Sequence, residues 1–369
     1  MADDEIVKED DDEERPAFNI APKDRKLIAQ PFDFIVGSLE KQVEDGDLVL
    51  QDDFQRRQVW DDKKASRLIE SLLLNVPIPV CYFAELDDGS YSVIDGQQRL
   101  TSVWRYLTNQ LALSGLRVRP ELNKKRFVEL DKVDRRLITT RTIRCIVIQK
   151  ESHPEIRFDV FERLNSASVK LTPQELRNSN FRGKLNKLII ELCEDKTFQK
   201  IRRTDDIDAR MSDAEMILRF FAFHFNGVAY KGVFAPFLDA YLSAGQHMPD
   251  NEIDQHRVRF INTVGRVDAV FGRNAFRQID ASNNYASQIN RAIFDIIMLS
   301  FAHITRDQLI GKKDEIVAEL KDLCLNDAVF QDAIGRATRD RTRLNNRARL
   351  WVERLRKIGL QCPDLKFGN

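Results

Sequence analysis

Histidine and cysteine are scarce, five of each in 369 residues. The cysteines (Cys81, Cys145, Cys193, Cys324 and Cys362) are widely scattered with no paired spacing. That excludes a disulfide-stapled scaffold and a zinc knuckle, and no zinc is expected. No His-Glu-x-x-His string occurs; His247 and His256 stand nine apart in a polar, loop-like stretch, a weak signal for a metal. Neither cysteine nor serine stands in a recognisable nucleophile context, which argues against a protease or hydrolase. Long apolar runs are also missing. None approaches the ~18–20 uncharged residues of a membrane span, and the longest, such as Ala292–Ala302, have the length of core helices. The N-terminus is acidic, the reverse of a secretory signal. A soluble, cytoplasmic protein is expected, with no membrane partner.

Net charge of either sign is absent as well, with 58 Lys+Arg against 58 Asp+Glu. A uniformly basic nucleic-acid binder is thereby excluded, but the sum hides an uneven distribution. Met1–Glu14 carries nine acids against Lys8, and Arg336–Lys357 carries nine bases against Asp340 and Glu353. Local fields decide what such a chain attracts. The first sixteen residues have almost nothing to bury and read as a disordered acidic leader.

What is present is a core-forming chain, 43% hydrophobic with 23 Phe. Pro31–Gly46, with Phe32, Phe34, Ile35 and Leu39, suggests the first ordered element. Ala65, Leu68, Ile69, Leu72 and Leu73 recur at helical spacing behind Asp61 or Asp62 as N-cap, and Asn75 and Pro77 end the pattern. Pro79–Leu86 and Tyr91–Ile94 read as strands joined by the turn Asp87-Asp88-Gly89-Ser90. A helix with Leu100, Val103, Trp104 and Leu107 inward follows Asp95-Gly96. Ile143–Gln149 is a further strand, and Ile156, Val160, Phe161 and Leu164 form a helical stripe ending at Asn165. Thr172-Pro173-Gln174-Glu175 and Ser212-Asp213-Ala214-Glu215 both read as capping boxes. Beyond them the patterns are helical. The expected class is α+β: an acidic leader over residues 1–16, a mixed α/β domain over 17–180 and a helical domain over 181–369.

Ile94-Asp95-Gly96-Gln97-Gln98-Arg99-Leu100-Thr101-Ser102 is the strongest local feature. It sets a carboxylate, a glycine, two amides, a guanidinium and two hydroxyls between a strand and a helix. Free backbone N–H groups at a helix N-terminus attract anions, and Gly96 permits close approach or positive φ. Arg99 can grip a phosphate in two places, whereas Asp95 suits a divalent metal, a ribose hydroxyl or a water. An ordinary capping turn would use the same residues but would need neither Gln97 nor Gln98. Gln55-Arg56-Arg57-Gln58-Val59-Trp60 forms a second cluster, suited to phosphate and base stacking, though Trp60 equally fits packing on the helix that follows. Arg163, Ser166, Ser168 and Lys170 would line any phosphate pocket built near Asn165. Arg336, Arg339, Arg343 and Arg347 step by three or four, a basic helix face suited to a nucleic-acid backbone; a solvated face, or pairing with the acidic leader, fits the same spacing.

These segments, in this order, resemble the ParB/sulfiredoxin-like N-terminal domain of GmrSD-type, modification-dependent restriction systems, over roughly residues 32–180. The stretch from Met211, including Asn290–Met298, resembles the helical spacer that commonly follows. The resemblance implies a nucleotide pocket with the signature Asp95–Arg99, and NTP binding or hydrolysis coupled to DNA restriction, often in phage defence. It assigns catalytic roles to Asp95, Gln98 and Arg99. Gln55, Arg56, Arg57, Gly96, Gln97, Thr101, Ser102, Arg163, Asn165 and Lys170 would surround the nucleotide, with Mg²⁺ on Asp95. DNA is the expected partner, contacted by Arg336, Arg339, Arg343 and Arg347. Many relatives continue into an HNH nuclease, but the last histidine here is His303 and no His–Asn–His cluster follows. A separate nuclease, metal-dependent nicking by the same pocket, or a non-catalytic nucleotide-responsive scaffold with a homo-oligomer surface on its helical domain are the open alternatives. The acidic leader would shield the basic end by mimicking nucleic acid.

Overall fold

The computed structural model describes residues 26–50, 60–86, 88–153, 172–208, 210–335 and 340–368, together with 156, 160, 163 and 164. The acidic leader, Gln55–Arg57, Asn165, Lys170, Arg336 and Arg339 lie outside the described residues. The chain divides into two compact units, one within Ala17–Leu171 and one within Thr172–Asn369.

The first unit is built on a five-stranded mixed sheet. β1 (Ala29–Ile35), β2 (Leu48–Val49), β3 (Cys81–Glu85), β4 (Tyr91–Asp95) and β5 (Thr142–Ile148) lie in the order β1-β5-β3-β4-β2. β1/β5 and β3/β4 are antiparallel; β3/β5 and β2/β4 are parallel. α1 (Leu39–Glu44), α2 (Asp62–Leu73), α3 (Gln97–Leu107) and α4 (Lys132–Thr139) accompany them. Asp61 caps α2, its carboxylate accepting from the Lys64 N–H at 2.7 Å. The expected stripe Ala65, Leu68, Ile69, Leu72 and Leu73 is buried against Leu100, Val103 and Leu107 of α3 in one core. α3 is thus held from below, and its first turn comes directly off β4. The hairpin turn forms as the sequence suggests, with the Asp88 carboxylate accepting from the N–H and hydroxyl of Ser90.

The regular structure of the second unit's described residues is helical, apart from one isolated bridge between Ile279 and Tyr285. It comprises α5 (Pro173–Asn180), α6 (Lys184–Cys193), α7 (Lys196–Arg202), α8 (Ser212–Asn226), α9 (Phe234–Ala244), α10 (Asp250–Phe271), α11 (Arg291–Phe301), α12 (Arg306–Gly311), α13 (Lys313–Asn326), α14 (Ala328–Gly335) and α15 (Arg341–Lys357). The apolar helices α8 and α11 supply its centre, where Phe220, Phe221, Phe294 and Ile297 are almost wholly excluded from solvent.

Thr172 and Glu175 form the expected capping box. Ser212 does not. Met211, at φ 58°, precedes α8, and Asp213 turns inward to an ion pair with Arg202 at 2.8 Å. A second difference concerns the loop-like stretch around His256. It is the start of α10, whose inner stripe (Ile253, His256, Phe260, Val264, Val267) is buried under a polar outer face. Counting polar residues obscured that stripe. No helix among the described residues is long and apolar enough to cross a membrane.

Candidate functional site

β4 ends at Asp95, and the chain then turns through Gly96 with φ 103° and ψ 4° before α3 begins. That conformation disfavours any residue with a Cβ. A Cβ at Gly96 would also stand 3.0 Å from Cys81 Cβ, closer still to Cys81 Sγ, and 3.3 Å from Arg99 Nη2. Glycine is therefore required twice, by dihedral and by crowding. The N-cap has no side chain to offer, so among the described residues the first-turn backbone donors of α3 have no side-chain partner, and the helix dipole adds partial positive charge there.

Around the turn the named side chains fall into distinct places. Arg99 is largely buried, only 9% exposed. One nitrogen, Nη1, donates to the Pro79 carbonyl and, at 3.3 Å, to that of Val80; Nη2 pairs with Asp95 Oδ2 at 2.6 Å. Arg99 thus ties the start of β3 to the end of β4. Asp95 is the more exposed partner of that pair. Gln98 Oε1 accepts from the Trp60 N–H at 3.0 Å. The end of the Gln55–Trp60 segment is in this way fastened to the Asp95–Arg99 turn, a link that no sequence spacing would reveal. The Gln98 amide nitrogen has no hydrogen-bond partner among the described residues. Gln97 Nε2 is 3.5 Å from Thr101 Oγ1, and Gln97 Oε1 is buried with no hydrogen-bond partner among the described residues.

One expected site residue takes other work. Ser102 is fully buried and its hydroxyl donates to the Gln98 carbonyl at 2.7 Å, within α3, so it faces no ligand. Arg163 is an exposed helical residue. Trp60 packs beside the α2 core, and Lys64 Nζ stands 4.3 Å over its ring. Cys81 and Cys145, 64 positions apart in sequence, are opposite one another in the β3/β5 register, beneath the turn. The hydrogen bond between them lowers the Cys81 thiol, against the effect of burial, and raises that of Cys145. Among the described residues no group of three or more His, Cys, Asp and Glu side chains converges to hold a metal.

The basic C-terminal run requires a correction. α15 starts at Arg341 behind the N-cap Asp340, and Arg347 points inward, fully buried. It pairs with Asp295 at 3.0 Å beside the Arg219–Asp295 pair at 2.6 Å. The reason is register, since Arg347 shares a face with Leu344, Trp351 and Leu355. Arg347 cannot reach a nucleic-acid backbone. Arg343 pairs with Asp332 at 2.9 Å, Arg354 with Glu319 and Asp322 at 2.7 Å each, and Lys357 with Glu319 at 2.8 Å. Positive charge that looks concentrated in sequence is matched in space by carboxylates of α13 and α14.

A mixed sheet with a glycine turn opening the helix after β4, followed by a helical unit, defines the ParB/sulfiredoxin-like class. Residues 36–182 match the family described as GmrSD restriction endonuclease, N-terminal domain, so the chain carries a domain of that family. No curated protein matches the chain.

Proposed function

We propose that the turn Asp95–Arg99 binds the phosphates of a nucleoside triphosphate and hydrolyses it in a DNA-directed restriction system. The observation that carries this reading is the bare N-terminus of α3 behind a glycine that nothing larger can replace. An anion can approach the backbone donors there without meeting a side chain. Gln98, held by Trp60, offers its amide donors to a phosphate oxygen. Gln97 Oε1, buried without a partner among the described residues, is the acceptor offered to a water or a ribose hydroxyl; an amide oxygen can orient a water but cannot deprotonate it.

Arg99 contributes mainly by position. Its guanidinium fixes Asp95 and the start of β3 and adds positive charge behind the turn. Asp95 offers one carboxylate. A Mg²⁺ ion fits such a donor when phosphate oxygens and waters complete its shell, and it would neutralise phosphate charge. Gln55, Arg56, Arg57 and Asn165 remain proposals from family resemblance, and Lys170 from its place in the segment that follows Asn165.

Phosphate release from each common NTP, with Mg²⁺ and with or without DNA, tests the reading, alongside nicking of supercoiled plasmid. Release that is lost in Gln98→Glu supports it. Plasmid nicking without NTP would favour a nuclease, NTP binding without release would favour a scaffold, and failure to bind any NTP would overturn the assignment.

A further inference from the structure

Unlike the C-terminal run, α10 of the helical unit holds positive charge that no carboxylate among the described residues pairs with. Arg259 and Arg266, on α10, have no carboxylate ion-pair partner among the described residues. Arg259 Nη1 donates to the Ala302 carbonyl at 3.0 Å. Arg266 Nη1 donates to the carbonyls of Phe301 at 2.9 Å and Ala302 at 3.2 Å. Both guanidinium groups therefore converge on the C-terminus of α11. A helix C-terminus carries roughly half a negative charge, so two full positive charges leave a surplus, and each guanidinium keeps further N–H donors. The charge of Arg259, after burial, holds His224 and His303 below the ordinary imidazole value, and those rings lie 5.3 Å apart.

These arginines line a groove of about 450 Å³, a size within the usual range for small-ligand sites. Gln255, Val258 and Asn262 come from the same helix face, three to four residues apart, and Phe225 closes one side. Phe225 stacks on His256 with centroids 4.0 Å apart and 27° between planes, yet is 41% exposed. A fixed aromatic face thus stands at the groove beside two arginines. Val258 adds exposed apolar surface, and the amides of Gln255 and Asn262 present the paired donors and acceptors that match base edges. Asp254 also lines the groove; its charge acts on neighbouring Arg257.

We propose that this groove on α10 binds a phosphate ester next to a nucleobase, the phosphate on Arg259 and Arg266 and the base against Phe225 and Val258. The ligand is a free nucleotide or one unit of a single strand. The site is separate from the Asp95–Arg99 turn and lies in the other unit. A stacked base with phosphate held by arginine is the usual chemistry of single-strand binding.

The test is fluorescence anisotropy of a labelled twelve-residue oligothymidine on the full chain at low salt, without NTP or Mg²⁺. Thymidine monophosphate serves as a competitor that separates the two sources. Asn262→Glu places a carboxylate in the groove at an exposed position and should weaken binding at least about ten-fold. Val329→Glu, an equal charge change at a surface residue outside the groove, should change it less than about two-fold. Gln98→Glu should bind the oligonucleotide as wild type does, which keeps this result apart from the fate of the NTP site. Displacement by thymidine monophosphate assigns the groove to free nucleotides, and its absence assigns it to strands. No binding by wild type, equal weakening by Asn262→Glu and Val329→Glu, or equally potent displacement by polyglutamate would overturn the proposal.

Discussion

Replacing Gly96 with alanine should damage the turn by two separable amounts. An L-residue held at φ 103° costs about 1–2 kcal/mol. The added methyl also meets Cys81, which is fully buried in β3 and cannot retreat; overpacking of that kind costs about 1–3 kcal/mol. Gly96→Ala should therefore lose about 2–5 kcal/mol. Removing the sulfur should return part of it, so Gly96→Ala/Cys81→Ala should be more stable than Gly96→Ala by about 1 kcal/mol or more, although Cys81→Ala alone destabilises. Urea unfolding followed by tryptophan emission provides the assay. Trp60 and Trp104 lie in the sheet-containing unit, and Trp351 reports on the helical one. A Gly96→Ala protein within about 1 kcal/mol of wild type, or a double variant no better than the single, would refute the crowding argument.

Further outcomes follow from buried charge. Asp295 receives both Arg219 and Arg347, all three fully buried; Asp295→Ala should cost about 3–5 kcal/mol by removing the carboxylate that the two buried cations share, measured by urea unfolding of the helical unit. Glu70 accepts from the N–H groups of Val118 at 2.8 Å and Arg119 at 2.9 Å; Glu70→Ala should cost about 2–3 kcal/mol and speed amide exchange at those two residues. Burial first, then the charge of Arg259, lowers His224 from 6.5 to about 4. Between those values the unfolded chain binds the extra proton, so the stability that neutral His224 contributes is present above about pH 6.5 and is lost as the pH falls through about 4. Solvent screening reduces the expected loss to about 1–2 kcal/mol, and denaturation midpoints should fall less over this range in His224→Gln than in wild type.

Much of the sheet-containing unit was legible because its signals are local. The α2 stripe, the Asp88-Gly89 turn and the Asp95-Gly96 junction each depend on neighbours in sequence, and each folds where those neighbours direct. The reason glycine is needed at 96 was only half legible: positive φ could be anticipated, but the thiol of Cys81 comes from another strand. The bond from Trp60 N–H to Gln98 likewise spans 38 positions. The C-terminal arginines misled for the complementary reason. Their spacing is helical, but spacing alone does not tell the inner face from the outer, and the acids that match them reside on α13 and α14. Arg259 and Arg266 stand seven apart without a motif, and their surplus charge exists only once α10 is laid against the end of α11.

The central claim is that the turn after β4 is a phosphate site, and calorimetric titration of Mg²⁺–NTP into wild type and Gln98→Glu tests it most directly. The substituted carboxylate can still accept from the Trp60 N–H and is favourable at a helix N-terminus, so the fold should keep its melting temperature. Placed where phosphate would sit, it should weaken NTP binding at least about ten-fold. Equal affinity in the two proteins, at equal stability, would contradict the claim.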